Sequence, residues 1–84
     1  MTYKAAITKS FRREFKNLPE DIKERMLKAI DDIIANPFLG VKLRGDLEGF
    51  WRWRVSKYRI IYMINHSSDL VIFLDVGLRK AIYK

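Results

Sequence analysis

The chain has 84 residues, 49% of them hydrophobic, which predicts a single domain over residues 1–84 with a small apolar core. It has no cysteine and one histidine, which excludes disulfides, thiolate metal sites and multi-histidine metal sites, so we expect neither a metal nor another cofactor. The formal net charge of +7 is high for this length and predicts a polyanionic partner.

Neither a membrane span nor a signal peptide is predicted. The longest apolar stretches, such as residues 60–64, are far shorter than the roughly 20 residues that a spanning helix needs. The N-terminal segment "MTYKAAITKSFRREF" has no apolar block of the signal-peptide type. We therefore expect a cytoplasmic location and no membrane partner. Residues 1–41 carry 8 Lys or Arg and 6 Asp or Glu, whereas residues 42–84 carry 9 and 4, so the basic excess lies in the second half.

The N-terminal half predicts one strand and a helical hairpin. "YKAAIT" (3–8) is typical of a short strand, and a short helix follows with Phe11, Phe15 and Leu18 on one face. Pro19 suits the first position of a second helix, which Asn36-Pro37 should end because a residue before proline avoids the helical region. The apolar stripe of this second helix comprises Ile22, Met26, Ala29, Ile30, Ile33 and Ile34.

The C-terminal half predicts an antiparallel meander. Residues 38–49 contain three glycines and form a loop with a short extended piece at 41–44. Three strand-like runs follow at 50–55, 58–64 and 70–76. The predicted fold class is therefore α+β: an N-terminal strand and a two-helix hairpin packed on a mostly antiparallel β-meander sheet.

The alternation of side chains along the strands predicts the register. A turn centred on Ser56-Lys57 sets Val55 opposite Tyr58, Arg54 opposite Arg59 and Trp53 opposite Ile60. A turn centred on Ser67 sets Tyr58 opposite Val76, Ile60 opposite Leu74 and Tyr62 opposite Ile72. The face covered by the helices then consists of Trp51, Trp53, Val55, Tyr58, Ile60, Tyr62, Ile64, Leu70, Ile72, Leu74 and Val76.

The opposite face collects Arg52, Arg54 and Arg59, with Asp75 opposite Arg59. Like charges placed directly opposite each other destabilise a strand pair, so the cluster favours an anion-binding surface over a merely solvated one. Four apolar residues share this face in the predicted register. Either the C-terminal tail or a partner protein is expected to cover this outer patch: Ile61, Met63, Val71 and Phe73.

Four segments together resemble the RelE/ParE superfamily of toxins from type II toxin–antitoxin systems, over nearly the whole chain. They are "NLPEDIKERMLKAIDDIIANP", "VKLRGDLEG", "WRWRVSKYRIIY" and "VGLRKAIY". The resemblance is closest to the RelE branch. It implies ribosome-dependent endonucleolytic cleavage of mRNA, with the ribosome, mRNA and a cognate antitoxin protein as partners.

The resemblance also implies the catalytic residues, which fall on Arg52, Arg54, Arg59, Arg79 and Tyr83. Familiar members carry lysine where this chain has Arg52 and Arg54, and another branch uses a Glu and His pair as acid and base. No histidine lies in the matched segments here. We interpret His66 as a surface residue and Glu48 as a loop carboxylate, with a role for Glu48 as base as the alternative.

Cleavage of RNA by its own 2′-OH requires a base that removes the hydroxyl proton, positive charge that neutralises the phosphorane, and an acid that protonates the leaving oxygen. Arginine can only neutralise the phosphorane, because it stays protonated. The hypothesis is a preorganised charge clamp, with Arg54 nearest the 2′-OH and Arg79 or Arg59 nearest the leaving oxygen. Tyr83 would stack on or orient a base. Further basic residues either follow ribosomal RNA or form an ordinary charged surface: Lys9, Arg12, Arg13, Lys16, Lys42 and Arg44.

Two other functions stay open at this point. A ParE-branch toxin that inhibits DNA gyrase shares the fold but does not need the full arginine cluster with Tyr83. A catalytically silent nucleic-acid-binding protein is the third reading. The joint presence of the five implied catalytic residues favours the nuclease.

Overall fold

The computed structural model describes residues 3–78. It contains five strands and two α-helices in this range: β1 (Lys4–Ile7), α1 (Lys9–Lys16), α2 (Glu20–Ala35), β2 (Val41–Lys42), β3 (Phe50–Val55), β4 (Tyr58–Asn65) and β5 (Leu70–Leu78). The strands form one sheet in the order β1-β5-β4-β3-β2, with β1 parallel to β5 and the other pairs antiparallel. The predicted α+β fold is confirmed. No helix in this range is long and apolar enough to cross a membrane.

Capping side chains and prolines fix the ends of the two helices. Thr8 caps α1, since its Oγ1 accepts a hydrogen bond from the Phe11 backbone N–H at 3.1 Å. Pro19 lies just before α2 rather than at its first position, and Glu20 and Asp21 occupy the first turn, where negative charge is favourable. The helix ends at Ala35, and Asn36-Pro37 follows it directly, as predicted.

Both helices cover one face of the sheet, called here the inner face. The buried core formed there comprises Phe11, Leu18, Ile22, Met26, Ala29, Ile33, Ile60, Tyr62, Val71, Phe73 and Val76. Tyr62 lies at its centre, with the Trp51 ring stacked at 6.3 Å and the Phe73 ring at 6.1 Å. Burial raises the pKa of Tyr62 to about 12, although a hydrogen bond with the Gly40 backbone lowers it in part.

The β3–β4 register is confirmed at every predicted pair, including Arg54 opposite Arg59. Ser56 and Lys57 alone form the loop, and Ser56 takes a φ of 57°, a left-handed conformation that glycine adopts more easily. The alternation of side chains predicted these pairs correctly because a two-residue loop leaves one register that keeps the apolar residues of both strands on the inner face.

The predicted β4–β5 register was wrong. Ile60 lies opposite Val76 and Tyr62 opposite Phe73, so Leu74 is an additional residue on β5, a β-bulge. The connecting loop spans the four residues 66–69, between Asn65 and Leu70, instead of centring on Ser67. Asn65 and Asp69 explain the longer loop: the Asn65 Oδ1 accepts from the Ser67 N–H at 3.1 Å, and Asp69 takes a φ of 51°.

The change of register corrects two groups of residues. Val71 and Phe73, predicted for the outer patch, are fully buried in the core. Leu70, Ile72 and Leu74, predicted for the core, lie outside it. Of the predicted outer patch only Ile61 and Met63 remain on the other face, called here the outer face, and Ile61 is itself buried.

Candidate functional site

The outer face brings three arginines of β3 and β4 together. Arg54 lies directly opposite Arg59, and Arg52, two residues earlier on β3, shares their face. Arg54 is exposed, Arg52 is half-buried and Arg59 is only 2% exposed. Within residues 3–78 both ion pairs lie on α2, so no acidic side chain of this range neutralises Arg52 or Arg54. Arg52 and Arg54 therefore form a positive surface on β3, with the buried Arg59 beside them on β4.

Asp75 does not lie opposite Arg59, contrary to the predicted register. The bulge at Leu74 moves Asp75 opposite Ile61, where its Oδ1 accepts a hydrogen bond from the Ser10 hydroxyl at 2.8 Å. Gly77 takes the position across from Arg59. A Cβ added to Gly77 meets no other atom of residues 3–78 within 4 Å, so within this range no atom fills the space above Gly77.

A pocket of about 260 Å³ lies at the tip of the β3–β4 hairpin. Arg54, Ser56, Lys57 and Arg59 line it, so three of its four side chains are cationic. Lys57 was not among the residues predicted for the site. The sequence did contain a signal for it, because a lysine in a two-residue loop between Arg54 and Arg59 must lie beside both.

A second pocket, of about 350 Å³, lies on the outer face beside Arg52. Its walls are mainly apolar, with Asp75 and Ser10 as polar groups, and it is lined by Thr8, Ser10, Leu43, Leu47, Phe50, Ile61, Leu74 and Asp75. The pocket lies between the start of α1 and the sheet. The two are linked there by the Thr8 hydroxyl, which donates to the Leu74 carbonyl of the bulge at 2.9 Å. Sequence reasoning missed this pocket, since it depends on the bulge.

The remaining predicted residues are distributed around this centre. Lys9, Arg12, Arg13 and Lys16 are exposed on α1. Lys42, Arg44 and Glu48 line a separate pocket of about 380 Å³. His66 stacks on the Phe38 ring at 5.7 Å. Arg79 and Tyr83 lie outside the described residues. No three His, Cys, Asp or Glu side chains between residues 3 and 78 are placed to hold a metal ion together.

Residues 5–84 match the family model described as "ParE-like toxin of type II bacterial toxin-antitoxin system". The chain belongs to this toxin family. The toxin is 33% identical to Toxin RelE of Mycobacterium tuberculosis over 84 residues, covering 98% of this chain and 87% of the relative. It is 31% identical to Toxin RelG of the same organism over 86 residues, covering 100% and 99% of the two chains.

Solved structures place the toxin in the same superfamily. A chain of the RelBE2 toxin–antitoxin complex of M. tuberculosis matches with a TM-score of 0.87 and 28% identity, over 94% of this toxin and 93% of that chain. A chain of the archaeal RelE–RelB complex of Pyrococcus horikoshii matches with a TM-score of 0.76 and 27% identity, over 94% and 97%. The predicted membership of the RelE/ParE superfamily is confirmed.

Proposed function

We propose that this toxin cleaves mRNA endonucleolytically on the ribosome. The observation that carries the proposal is the arginine row of the outer face, where Arg54 opposes Arg59 and no acidic side chain of residues 3–78 pairs with Arg52 or Arg54. Opposed like charges weaken a strand pair. A phosphate bound across the row offsets that repulsion, since guanidinium groups contact phosphate oxygens in pairs.

The chemistry assigned to the row is stabilisation of negative charge. The 2′-OH gives its proton to water and attacks the adjacent phosphate, and the phosphorane gains charge that fixed guanidinium groups neutralise. The bond to the 5′-oxygen then breaks, and this oxygen takes a proton from water, which leaves a 2′,3′-cyclic phosphate and a 5′-hydroxyl. Arg54, which is exposed, makes the direct contact nearest the 2′-OH. Arg59, buried beside it on β4, acts as a fixed positive charge on the leaving-oxygen side, where shielding by water is weak. Arg79 joins Arg59 there and Tyr83 stacks on a base, two roles that follow from the resemblance.

The ribosome is proposed to position the substrate, which matters because the arginines provide no efficient general base. Arginine is a poor general base, so the reaction depends on a substrate held close to the attacking geometry. We propose that the ribosome presents the mRNA in this way and that Lys9, Arg12, Arg13 and Lys16 contact ribosomal phosphates. Such contacts weaken steeply with added salt. The proposed location is the cytoplasm, where ribosomes and mRNA are found.

A cognate antitoxin is the second proposed partner. The RelBE2 structure of M. tuberculosis is a toxin–antitoxin complex, and the P. horikoshii structure is a RelE–RelB complex. Among residues 3–78 this toxin exposes six large apolar side chains that a bound antitoxin would cover in part: Ile7, Leu27, Phe38, Leu39, Val41 and Leu78. Co-expression with its antitoxin is expected to yield a stable complex and to relieve growth inhibition; free toxin after co-expression contradicts this.

The nuclease is tested in a purified translation system with three proteins: the parent toxin, Arg54→Ala and Arg25→Ala. Arg25 is an exposed arginine of α2, away from the sheet, and serves as the matched control. Loss of one charge-stabilising donor is expected to slow cleavage by about 100-fold or more, whereas Arg25→Ala cleaves like the parent. Cleavage by Arg54→Ala within about threefold of the parent contradicts the proposed clamp.

The family description is ParE-like, so inhibition of gyrase is tested as the second candidate function. After induction in cells, protein synthesis, mRNA integrity and DNA supercoiling are followed together. The nuclease predicts cleaved mRNA and unchanged supercoiling at early times. Altered supercoiling with intact mRNA favours the gyrase inhibitor, and no change in either favours a silent nucleic-acid-binding protein.

A further inference from the structure

The pocket at the tip of the β3–β4 hairpin has the composition of an anion site. Arg54, Lys57 and Arg59 contribute three positive charges around about 260 Å³, and Ser56 contributes a hydroxyl. No carboxylate of residues 3–78 lines it. The charges are held close together by the Arg54–Arg59 pairing and by a loop of only two residues. A cavity with cationic walls concentrates anions more strongly than scattered surface charges do.

The conformation of the loop gives a second, independent reason to regard the tip as functional. Ser56 has a φ of 57°, a conformation that costs a non-glycine residue about 1 kcal/mol or more. Glycine is the preferred residue at the first position of such a loop. Serine keeps a hydroxyl in the pocket, which a phosphate oxygen can use as a hydrogen-bond donor.

Gly77 leaves room beside the tip among the atoms of residues 3–78. Gly77 lies across from Arg59 on β5, and the space that its missing side chain leaves is empty of other atoms of residues 3–78. Glycine within a strand lowers stability and often marks a place where a ligand comes close to the backbone. An extended strand of RNA can therefore pass over Gly77 and reach the tip without meeting a side chain at this position.

We propose that the hairpin tip is a second phosphate subsite, in which Lys57 binds a phosphodiester of single-stranded RNA next to the one that lies over Arg52 and Arg54. The subsite rests on the proposed function for the identity of its ligand. Lys57 is a positioning residue in this scheme: it fixes the register of the RNA on the arginine row and takes no part in the bond-breaking step.

The test measures binding of a short fluorescent single-stranded RNA across a series of salt concentrations, for the parent, Lys57→Gln, Lys57→Arg and Lys28→Gln. Each phosphate contact contributes about −0.7 to the slope of log K against log salt for single strands. Lys57→Gln is expected to reduce the steepness by about 0.7, whereas Lys57→Arg keeps the parent slope. Lys28 is an exposed lysine of α2, so Lys28→Gln lowers the net charge equally and is expected to keep the parent slope.

Three results overturn the subsite. The first is an unchanged slope for Lys57→Gln, and the second is an equal reduction of the slope in Lys28→Gln. The third is that the parent binds no RNA at low salt. Ribosome-dependent cleavage is measured on the same preparations. If the parent cleaves mRNA but Lys57→Gln keeps the parent slope, the subsite is overturned and the nuclease is not. A reduced slope without cleavage by the parent leaves the subsite as an RNA-binding site and overturns the nuclease.

Discussion

The two faces of the β3–β4 strand pair differ in how their space is filled. On the inner face Tyr62 is fully buried between Trp51 and Phe73, and its hydroxyl donates to the Pro37 carbonyl at 2.7 Å. On the outer face Arg54 opposes Arg59, and Gly77 has no side chain and no other atom of residues 3–78 close to where its Cβ would lie. Strand alternation alone separates the two environments. Residues of the inner face and residues of the outer face can therefore be changed independently.

Two glycines test this contrast with the same substitution and give the largest expected effect. A Cβ at Gly40 clashes with the Tyr62 hydroxyl and lies 2.8 Å from the Arg52 carbonyl oxygen. Gly40→Ala is expected to lower the free energy of unfolding by about 3 kcal/mol, because it overpacks the core and disturbs a buried hydrogen bond. Thermal unfolding should show the melting temperature falling by roughly 10–20 °C.

Gly77→Ala is the matched control for that experiment. The added methyl group meets open space among residues 3–78, and alanine is better than glycine within a strand. The free energy of unfolding is expected to stay equal or to rise by about 0.5 kcal/mol. If both variants lose stability equally, the proposed difference between the faces is wrong.

Tyr62→Phe tests the hydrogen bond of the inner face. The ring is retained, but the Pro37 carbonyl loses its buried donor. The expected loss is about 1–2 kcal/mol, measured by chemical denaturation at neutral pH. A variant as stable as the parent implies that water replaces the hydroxyl at this carbonyl.

The same hydroxyl predicts how stability depends on pH. The pKa of Tyr62 is about 12 in the folded toxin against 10.0 for an unperturbed tyrosine. The unfolded chain therefore loses this proton first, and the stability due to the neutral hydroxyl is present below pH 10 and is lost as the pH rises toward 12. Denaturation across this range should show a steeper decline for the parent than for Tyr62→Phe. Parallel declines contradict the raised pKa.

The register of β3 and β4 could be predicted from sequence, whereas that of β5 could not. "WRWRV" alternates clearly, so only one pairing keeps Trp53 with Ile60 on the inner face. "LVIFL" at the start of β5 is apolar on both faces, so alternation did not identify which residues point inward. The bulge at Leu74 then shifts Asp75 without any turn residue to mark it.

The sequence also predicted that the three arginines lie together, but it did not predict how exposed each side chain is. Alternation and the two-residue loop indicate that Arg52, Arg54 and Arg59 share a face. That Arg59 is 2% exposed while Arg54 is open to solvent depends on packing around each side chain, which sequence spacing does not contain. The pocket beside Arg52 was missed for a related reason, because its walls come from five separate parts of the chain.

Ser56→Gly is expected to stabilise the fold modestly. Glycine adopts the φ of 57° without steric cost, although it also loses more backbone freedom on folding. The net gain is expected to be about 0.5 kcal/mol, seen as a rise of a few degrees in the melting temperature. Asp69→Gly is the comparison: aspartate tolerates its φ of 51° better, so the gain there should be smaller.

Arg54→Gln gives the smallest expected change in stability and tests directly for repulsion between the opposed arginines of the outer face. Removing one of two opposed arginines relieves a repulsion of a few tenths of a kcal/mol. The melting temperature should therefore rise slightly at low salt, and the difference from the parent should vanish at high salt, where exposed charges are screened. Arg25→Gln removes one charge from α2 and controls for net charge. A rise of equal size in both variants points to overall repulsion, whereas a rise confined to Arg54→Gln identifies a local cost that is present before any ligand binds.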